Sequence, residues 1–536
     1  MSLQSPTVRC DVAVVGGGHN GLVAAALLAR AGLRVRLFER RPMLGGACVT
    51  EELWPGYRVS RAAYVAGLLR PALLRELGLE RRGLRLLRRD PSSFTPLPDG
   101  PGLLLGSDAQ ASQRSIARFS QRDAERYPAY ERLLDRVARA FEPLLDAPPP
   151  EPGRLRPRDL ALLARLGMGA LRLGGDLPGG LSLLLGAARP ALEQWFESEP
   201  LRSTLATDAV IGAWAAPSTP GTGYVLFHHV MGETGGARGV WAYVQGGMGS
   251  LSDAIADAAR EAGAELRVDA PVRRIELVDG RAAGLVLESG ETLEARIVVS
   301  GADPANTLLS LVGSDALPEG SASALTALDF RSGSLKLNLA LDRLPAFRGI
   351  SGSGPAPEHR GTIHVGADSL DALEVAFEVA RDGRLPERPM VELTLPSAVD
   401  DSLAPAGHHV ASLFVQWVPW QPKDSSWEVE RDRFADRVLG LVDEVAPGFS
   451  SSVIHRDVLA PPDLERVFGL TGGNIFHGAM TLDRLGFSRP VPGWRPYRTP
   501  VPGLYLCGAG THPGGGVMGA CGRLAAREIL RDLRRS

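Results

Sequence analysis

The chain has 536 residues, too many for one hydrophobic core, so two or three domains are expected. Lys plus Arg number 59 and Asp plus Glu 61, a net charge of −2 that offers no global attraction to nucleic acid or anionic lipid. The four cysteines, Cys10, Cys48, Cys507 and Cys521, make no CxxC pair and no zinc spacing, which argues against a disulfide framework or a structural metal and fits a reducing compartment.

The N-terminus has no apolar signal core. No apolar run reaches the roughly 18–20 residues that span a bilayer. A cytoplasmic protein is expected, at most peripheral at a membrane. Arg-rich runs such as Glu80–Asp90 read as solvated helix faces.

In chain order, "DVAVV" (Asp11–Val15) reads as a buried parallel strand and "GLVAAALLARAG" (Gly21–Gly32) as a helix. Between them Gly16, Gly18 and Gly21 spell G-x-G-x-x-G. Gly16 permits the tight turn, Gly18 lets a pyrophosphate approach the backbone, and Gly21 lets helix and strand pack closely. The helix N-terminus supplies N–H groups and a positive dipole end. A second strand, "RVRLFE", ends at Glu39, 18 residues beyond Gly21. A carboxylate there accepts ribose hydroxyls and repels a 2′-phosphate, leaving FAD or NAD.

The next string, "RRPMLGGACVTEE" (Arg40–Glu52), places Gly45 and Gly46 just past the acid. Together with what precedes it, the string resembles the extended dinucleotide-binding motif of glutathione-reductase-like FAD enzymes. That resemblance points to FAD, with Arg40 and Ala47 assigned to the cofactor beside the glycines. Disulfide reductases of that superfamily carry a redox cysteine pair next; here Cys48 stands alone and reads as a packed residue.

Residues 60–240 are rich in Leu, Arg and Ala at helical spacing. Ala124–Leu145 is a clear amphipathic helix, and the Pro-rich Asp146–Pro157 a surface loop. Arg158–Gly175 is apolar on one face and basic on the other: a helix lining a substrate domain, or one lying on a membrane through which a lipid-soluble substrate enters. Gly239–Leu277 brings a glycine-rich turn, a helix, a strand and "PVRRI"; Gly284–Pro304 reads as a hairpin turning near Ser289-Gly290, then a buried strand.

From Thr307 to about Arg489 strands alternate with polar turns. "SLKLNLAL" puts Leu335, Leu337, Leu339 and Leu341 on one face, Lys336 and Asn338 on the other. The last stretch, "GLYLCGAGTHPGGGVMGACGRLAAREILRDL", is a strand, a glycine-rich turn through Gly508 and Gly510, and a helix from about Val517 and Met518. In an FAD domain that helix N-terminus would face the N1–C2=O edge of the flavin.

Six strings, "GGGHNGLVAAALLARAG", "GGACVTEE", "LEQWFESEPLRSTLA", "WAYVQGGMGSL", "GNIFHGAMTLDRLGFSRPVPGW" and "LYLCGAGTHPGGGVMGA", together resemble the phytoene desaturase-like branch of the FAD-linked oxidoreductases over nearly the whole chain. The resemblance implies an α/β fold: a discontinuous glutathione-reductase-like FAD-binding Rossmann domain (1–90, 239–306, 490–536) with an α+β substrate domain, helical over 91–238 and sheet over 307–489. It implies that Val272 holds the adenine by its backbone. It also implies hydride transfer to flavin N5 from a hydrophobic, isoprenoid- or carotenoid-like substrate, by desaturation, saturation or isomerisation. An amine or other C–N oxidase, and a flavin-binding scaffold with little turnover, are the competing readings.

Lys336 and Lys423 are the only lysines. Related amine oxidases place a lysine in a similar strand, bridged by water to flavin N5. Lys336 is therefore a catalytic candidate, against a solvent-facing lysine. His512, in "GTHPGGG", is the second: it meets the flavin or substrate, or caps the turn on backbone. His228, His229 and His477 follow, with structural roles the commoner case. No second strand–glycine–helix–acid unit is present. Electrons then pass to oxygen, a quinone or a partner protein. Peripheral membrane contact and a homodimer are further partner expectations; nucleic acid and metal are not expected.

Overall fold

Strands from three distant stretches of chain meet in one seven-stranded sheet of the computed structural model, which describes residues 8–535 apart from 152, 235–236 and 351–353. Val8–Val15 lies at its centre, parallel to Val35–Phe38 on one side and Thr292–Ser300 on the other. Glu265–Arg267 adds to the Val35–Phe38 edge. Thr292–Ser300 is shared: its start pairs with Arg281–Leu287 and its end with Leu504–Leu506. The C-terminal stretch thus joins the sheet begun at residue 8.

Helix His19–Arg30 buries every residue from Asn20 to Ala29. Its alanines let it nest between the sheet and the helices Gly249–Glu261 and Ala520–Leu533, filling one core with Leu22, Leu28, Leu251, Ile255, Leu524 and Ile529. This is close packing by small side chains rather than one amphipathic stripe.

A second seven-stranded sheet runs Val453–Leu459, Ser334–Leu341, His409–Gln416, Met390–Thr394, Thr362–Val365, Ser93–Thr95, Leu103–Leu105. The last two strands come from a stretch expected to be wholly helical. Helix Trp427–Val445 packs on one face, against Leu335, Leu337, Leu339, Leu341, Val391 and Leu413. The expected leucine alternation is that core face. The polar side of Ser334–Leu341 is buried as well.

A helical group, Gln121–Phe141, Pro157–Leu173, Leu177–Leu185, Ala188–Trp195, Glu199–Val210 and Thr222–Val230, shares a core of its own with residues of the second sheet such as Leu103, Leu105 and Met390. Helix Pro157–Leu173 is fixed at its start by the Asp159 carboxylate, which accepts the Arg156 amide at 2.9 Å. It leaves Leu160, Leu163, Met168 and Leu171 exposed, joined by Leu155, Leu181 and Leu185. Among the described residues no helix is long and apolar enough to cross a membrane.

Candidate active site

The glycine turn after Val8–Val15 is built by close backbone approaches. Gly16 has φ +90°, and a Cβ on Gly21 would lie 2.2 Å from the Gly16 carbonyl oxygen, so no larger residue fits either position unstrained. Gly18 precedes the first helical residue, and neither a capping side chain nor an acid occupies the first turn. The Gly45 amide donates to the Gly17 carbonyl at 2.8 Å, and a Cβ on Gly46 would sit 3.0 Å from the Gly18 Cα. Two glycine segments therefore form one cradle, with the positive end of a helix at its floor.

Glu39 closes the cradle. One carboxylate oxygen accepts the Gly17 amide at 2.7 Å and the other the Arg41 amide at 3.0 Å. A carboxylate accepts about four hydrogen bonds, so capacity is left for ribose hydroxyls.

A cavity of about 840 Å³ runs from this cradle to the second sheet. Gly16, Gly18, Gly21, Glu39, Arg40, Gly46, Ala47, Val272, Gly508, Val517 and Lys336 all line it. Arg40 also donates to the Arg466 carbonyl at 3.0 Å, so its guanidinium is committed to the end of helix Pro461–Phe468. A Cβ on Gly508 would meet the Gly301 carbonyl oxygen at 2.5 Å, which brings the C-terminal turn onto the strand end of the first sheet. A helix terminus without a cap, and a carboxylate with spare acceptor sites, suit the diphosphate and ribose of a flavin dinucleotide.

Gly45, Gly510, Met518 and His512 do not line that cavity. Gly45 holds the cradle from behind. Gly510 is needed for packing, since a Cβ there would lie 2.5 Å from Pro304. The Met518 carbonyl accepts the Arg70 amide at 3.2 Å. His512, expected near the flavin, instead donates from Nε2 to the Leu144 carbonyl at 2.7 Å. It is held neutral, its pKa pushed down to about 4 by burial. His228 is similarly bound to the Gly515 carbonyl at 2.8 Å and His229 to the Asp208 carbonyl at 2.7 Å, both pushed to about 4 by burial. Cys48 is fully buried and its thiol is pushed up to about 12 by desolvation, which suits packing and not nucleophilic chemistry.

At the sheet end, four residues stand in register on four neighbouring strands: Lys336 opposite Phe414, Phe414 opposite Glu392, Glu392 opposite His364. All four line the cavity. Tyr64 lies over this row. Its hydroxyl donates to Glu392 Oε2 at 3.0 Å, and its ring centroid is 3.7 Å from Lys336 Nζ. Lys336 also donates to the Ser412 hydroxyl. Burial pushes the Lys336 pKa well below its ordinary value, with Glu392 a weaker opposing influence. Across from the row, Asp208 projects from helix Glu199–Val210 and is pushed up to about 6 by burial. Glu392 is pushed up to about 7, by burial first and by Asp208 next.

Tyr64, Asp208 and Glu392 escape a motif search because they lie in no motif. Glu392 carried a signal all the same: "MVELTL" alternates, with Val391 and Leu393 in the core, so a single acid faces the other way.

Residues 21–530 match the family described as flavin containing amine oxidoreductase. The chain is 47% identical over 544 residues to the rat (Rattus norvegicus) pyridine nucleotide-disulfide oxidoreductase domain-containing protein 2, covering 98% of this chain and 94% of the relative. It is 30% identical over 555 residues to hydroxyneurosporene desaturase from Cereibacter sphaeroides, covering 97% and 98%. A triple mutant of putrescine oxidase shares the fold with a TM-score of 0.63 at 18% identity, over 99% of this chain and 100% of that one. With its glycine cradle, its acid and a family match over almost its whole length, the chain belongs to the flavin containing amine oxidoreductase family and is an FAD-dependent oxidoreductase.

Proposed function

We propose that the protein dehydrogenates, saturates or isomerises carbon–carbon bonds of a hydrophobic, isoprenoid-like substrate. The observation that carries this reading is the continuity of one cavity from the glycine cradle into an apolar chamber walled by Leu105, Leu134, Leu205, Ile211, Leu226 and Val230. The kinship with a protein named hydroxyneurosporene desaturase supports the same substrate class.

The cradle of Gly16, Gly18 and Gly46 would hold the diphosphate, Glu39 the ribose and Val272 the adenine, with Gly508 and Val517 on the part of the wall left for the ring. When bound, FAD supplies the hydride acceptor. Lys336, its pKa lowered by burial, can hold or release a proton at Nζ beside the Tyr64 ring. The apolar walls exclude water from the reacting carbons.

The exposed leucines around helix Pro157–Leu173 support a peripheral membrane contact from which an apolar substrate enters. Gly169 packs there against Ala140, one residue from Arg139 on the cavity wall.

Anaerobic stopped-flow bleaching of the flavin by panels of polyprenyl compounds, carotenoids and amines tests the reading. Bleaching by the isoprenoids is expected; bleaching by amines alone overturns it.

A further inference from the structure

The sheet end of the cavity is more polar than a pure hydrocarbon requires. Glu392 is 6% exposed and its carboxylate accepts one protein hydrogen bond, from Tyr64. The Asp208 carboxylate accepts none among the described residues, and only its backbone carbonyl is engaged, by His229. Tyr130 is 1% exposed, lines the same wall, and its hydroxyl has no partner. His364 spends Nδ1 on the Thr207 hydroxyl at 3.3 Å. Of the two nearby cations, Arg89 donates from Nη2 to the Ser92 carbonyl at 3.0 Å and to the Thr362 hydroxyl, with its buried Nε unpartnered, and Lys336 donates to the Ser412 hydroxyl.

Two carboxylates at this end thus keep spare oxygens: Glu392 accepts from Tyr64 alone and Asp208 from no side chain or amide among the described residues. Buried polar groups without partners are costly, and natural proteins satisfy them. A hydrocarbon filling the chamber would displace water from these oxygens and offer nothing in return. A ligand presenting a donor would complete them. A ligand presenting a carboxylate would be repelled.

We propose that Glu392 and Asp208, with the hydroxyls of Tyr64 and Tyr130, form a subsite for a hydrogen-bond-donating group, a hydroxyl or a protonated amine, carried at the end of an otherwise apolar substrate. This rests on the apolar-substrate reading above and narrows it. The donor is held on the sheet row that runs from Lys336 to His364, so it fixes which part of the chain reaches the ring.

The test compares one polyprenyl chain as its hydrocarbon, its terminal alcohol, its terminal primary amine and its terminal carboxylic acid. Binding to the holoenzyme is read from the perturbation of the flavin spectrum. At pH 8, where both carboxylates are charged, either donor-bearing compound is expected to bind at least about tenfold tighter than the hydrocarbon, since hydrogen bonds to charged groups are worth that factor or more. The acid is expected to bind more weakly than either donor. The better of alcohol and amine identifies the donor.

In Glu392→Gln and Asp208→Asn the ratio of donor to hydrocarbon should fall toward one, with FAD content unchanged. If a variant loses FAD, Tyr64→Phe, which removes only a hydroxyl, supplies the same ratio. Equal affinity for hydrocarbon and donor compounds, preference for the acid, or a ratio kept in every variant overturns the subsite and leaves the parent reading standing. Failure of all four compounds to bind or to bleach the flavin overturns both.

Discussion

The Lys336 side-chain nitrogen lies 3.7 Å from the centroid of the Tyr64 ring, on a wall of the cavity that begins at the glycine cradle. A lysine held this way is desolvated and its basicity is lowered, which readies it to accept a proton. Lys336→Met should slow flavin reduction or reoxidation by about a hundredfold, the usual weight of a positioned acid–base group, while FAD stays bound. Rapid-mixing measurement of both half-reactions decides it; unchanged rates in both remove Lys336 from the chemistry.

Gly21→Ala should abolish the holoenzyme. The added methyl would sit 2.2 Å from a backbone oxygen that cannot move without opening the turn. The cost is several kcal/mol. The expected product is colourless or insoluble protein, judged by the flavin absorbance of the purified material.

Glu392 should make the protein less stable as pH rises. Its folded pKa of about 7 lies above the ordinary 4.5. Between those values the folded state binds more protons than the unfolded state, so stability is greatest at the acid end and falls up to about pH 7. The full penalty is on the order of 3 kcal/mol. Asp208, raised from 3.8 to about 6, adds a slope of the same sign over a lower range. Thermal melts of Glu392→Gln from pH 5 to 8 should be flatter than those of the parent protein; parallel curves would refute the assignment.

Leu160→Glu with Leu171→Glu should leave the fold intact, since the two leucines are 56% and 82% exposed. Partition to lipid vesicles should drop about tenfold or more, because each leucine can bury roughly 1.5–3 kcal/mol of apolar surface. Flotation assays on the paired proteins read this directly. Equal flotation would dismiss the membrane contact.

The cradle was legible in sequence because backbone geometry restricts residue choice so severely. Only glycine tolerates φ +90° at Gly16 or the close approach at Gly21, so the turn leaves a readable pattern. Lys336 was legible for another reason: one of two lysines in the chain, it interrupts an apolar strand. The opposite wall was not. Asp208, Tyr64 and Glu392 come from a helix, a loop and a strand far apart in the chain, and only tertiary packing brings them to one cavity. His512 misled for a related reason. It stands in a glycine-rich turn, but its ring points away from the cleft, to the Leu144 carbonyl. The helix Pro157–Leu173 shows the limit of periodicity: an amphipathic pattern marks an apolar face without saying whether protein covers it, and here several of its large side chains meet solvent.

The strand Leu504–Leu506 pairs with the end of Thr292–Ser300, and Gly508 and Val517 beyond it line the cavity. Gly508 stands 492 residues after Gly16. The glycine cradle and the C-terminal wall of the cavity therefore become one site only once the first sheet has joined both stretches. A fragment that stops short of Leu504 keeps the cradle and loses that wall.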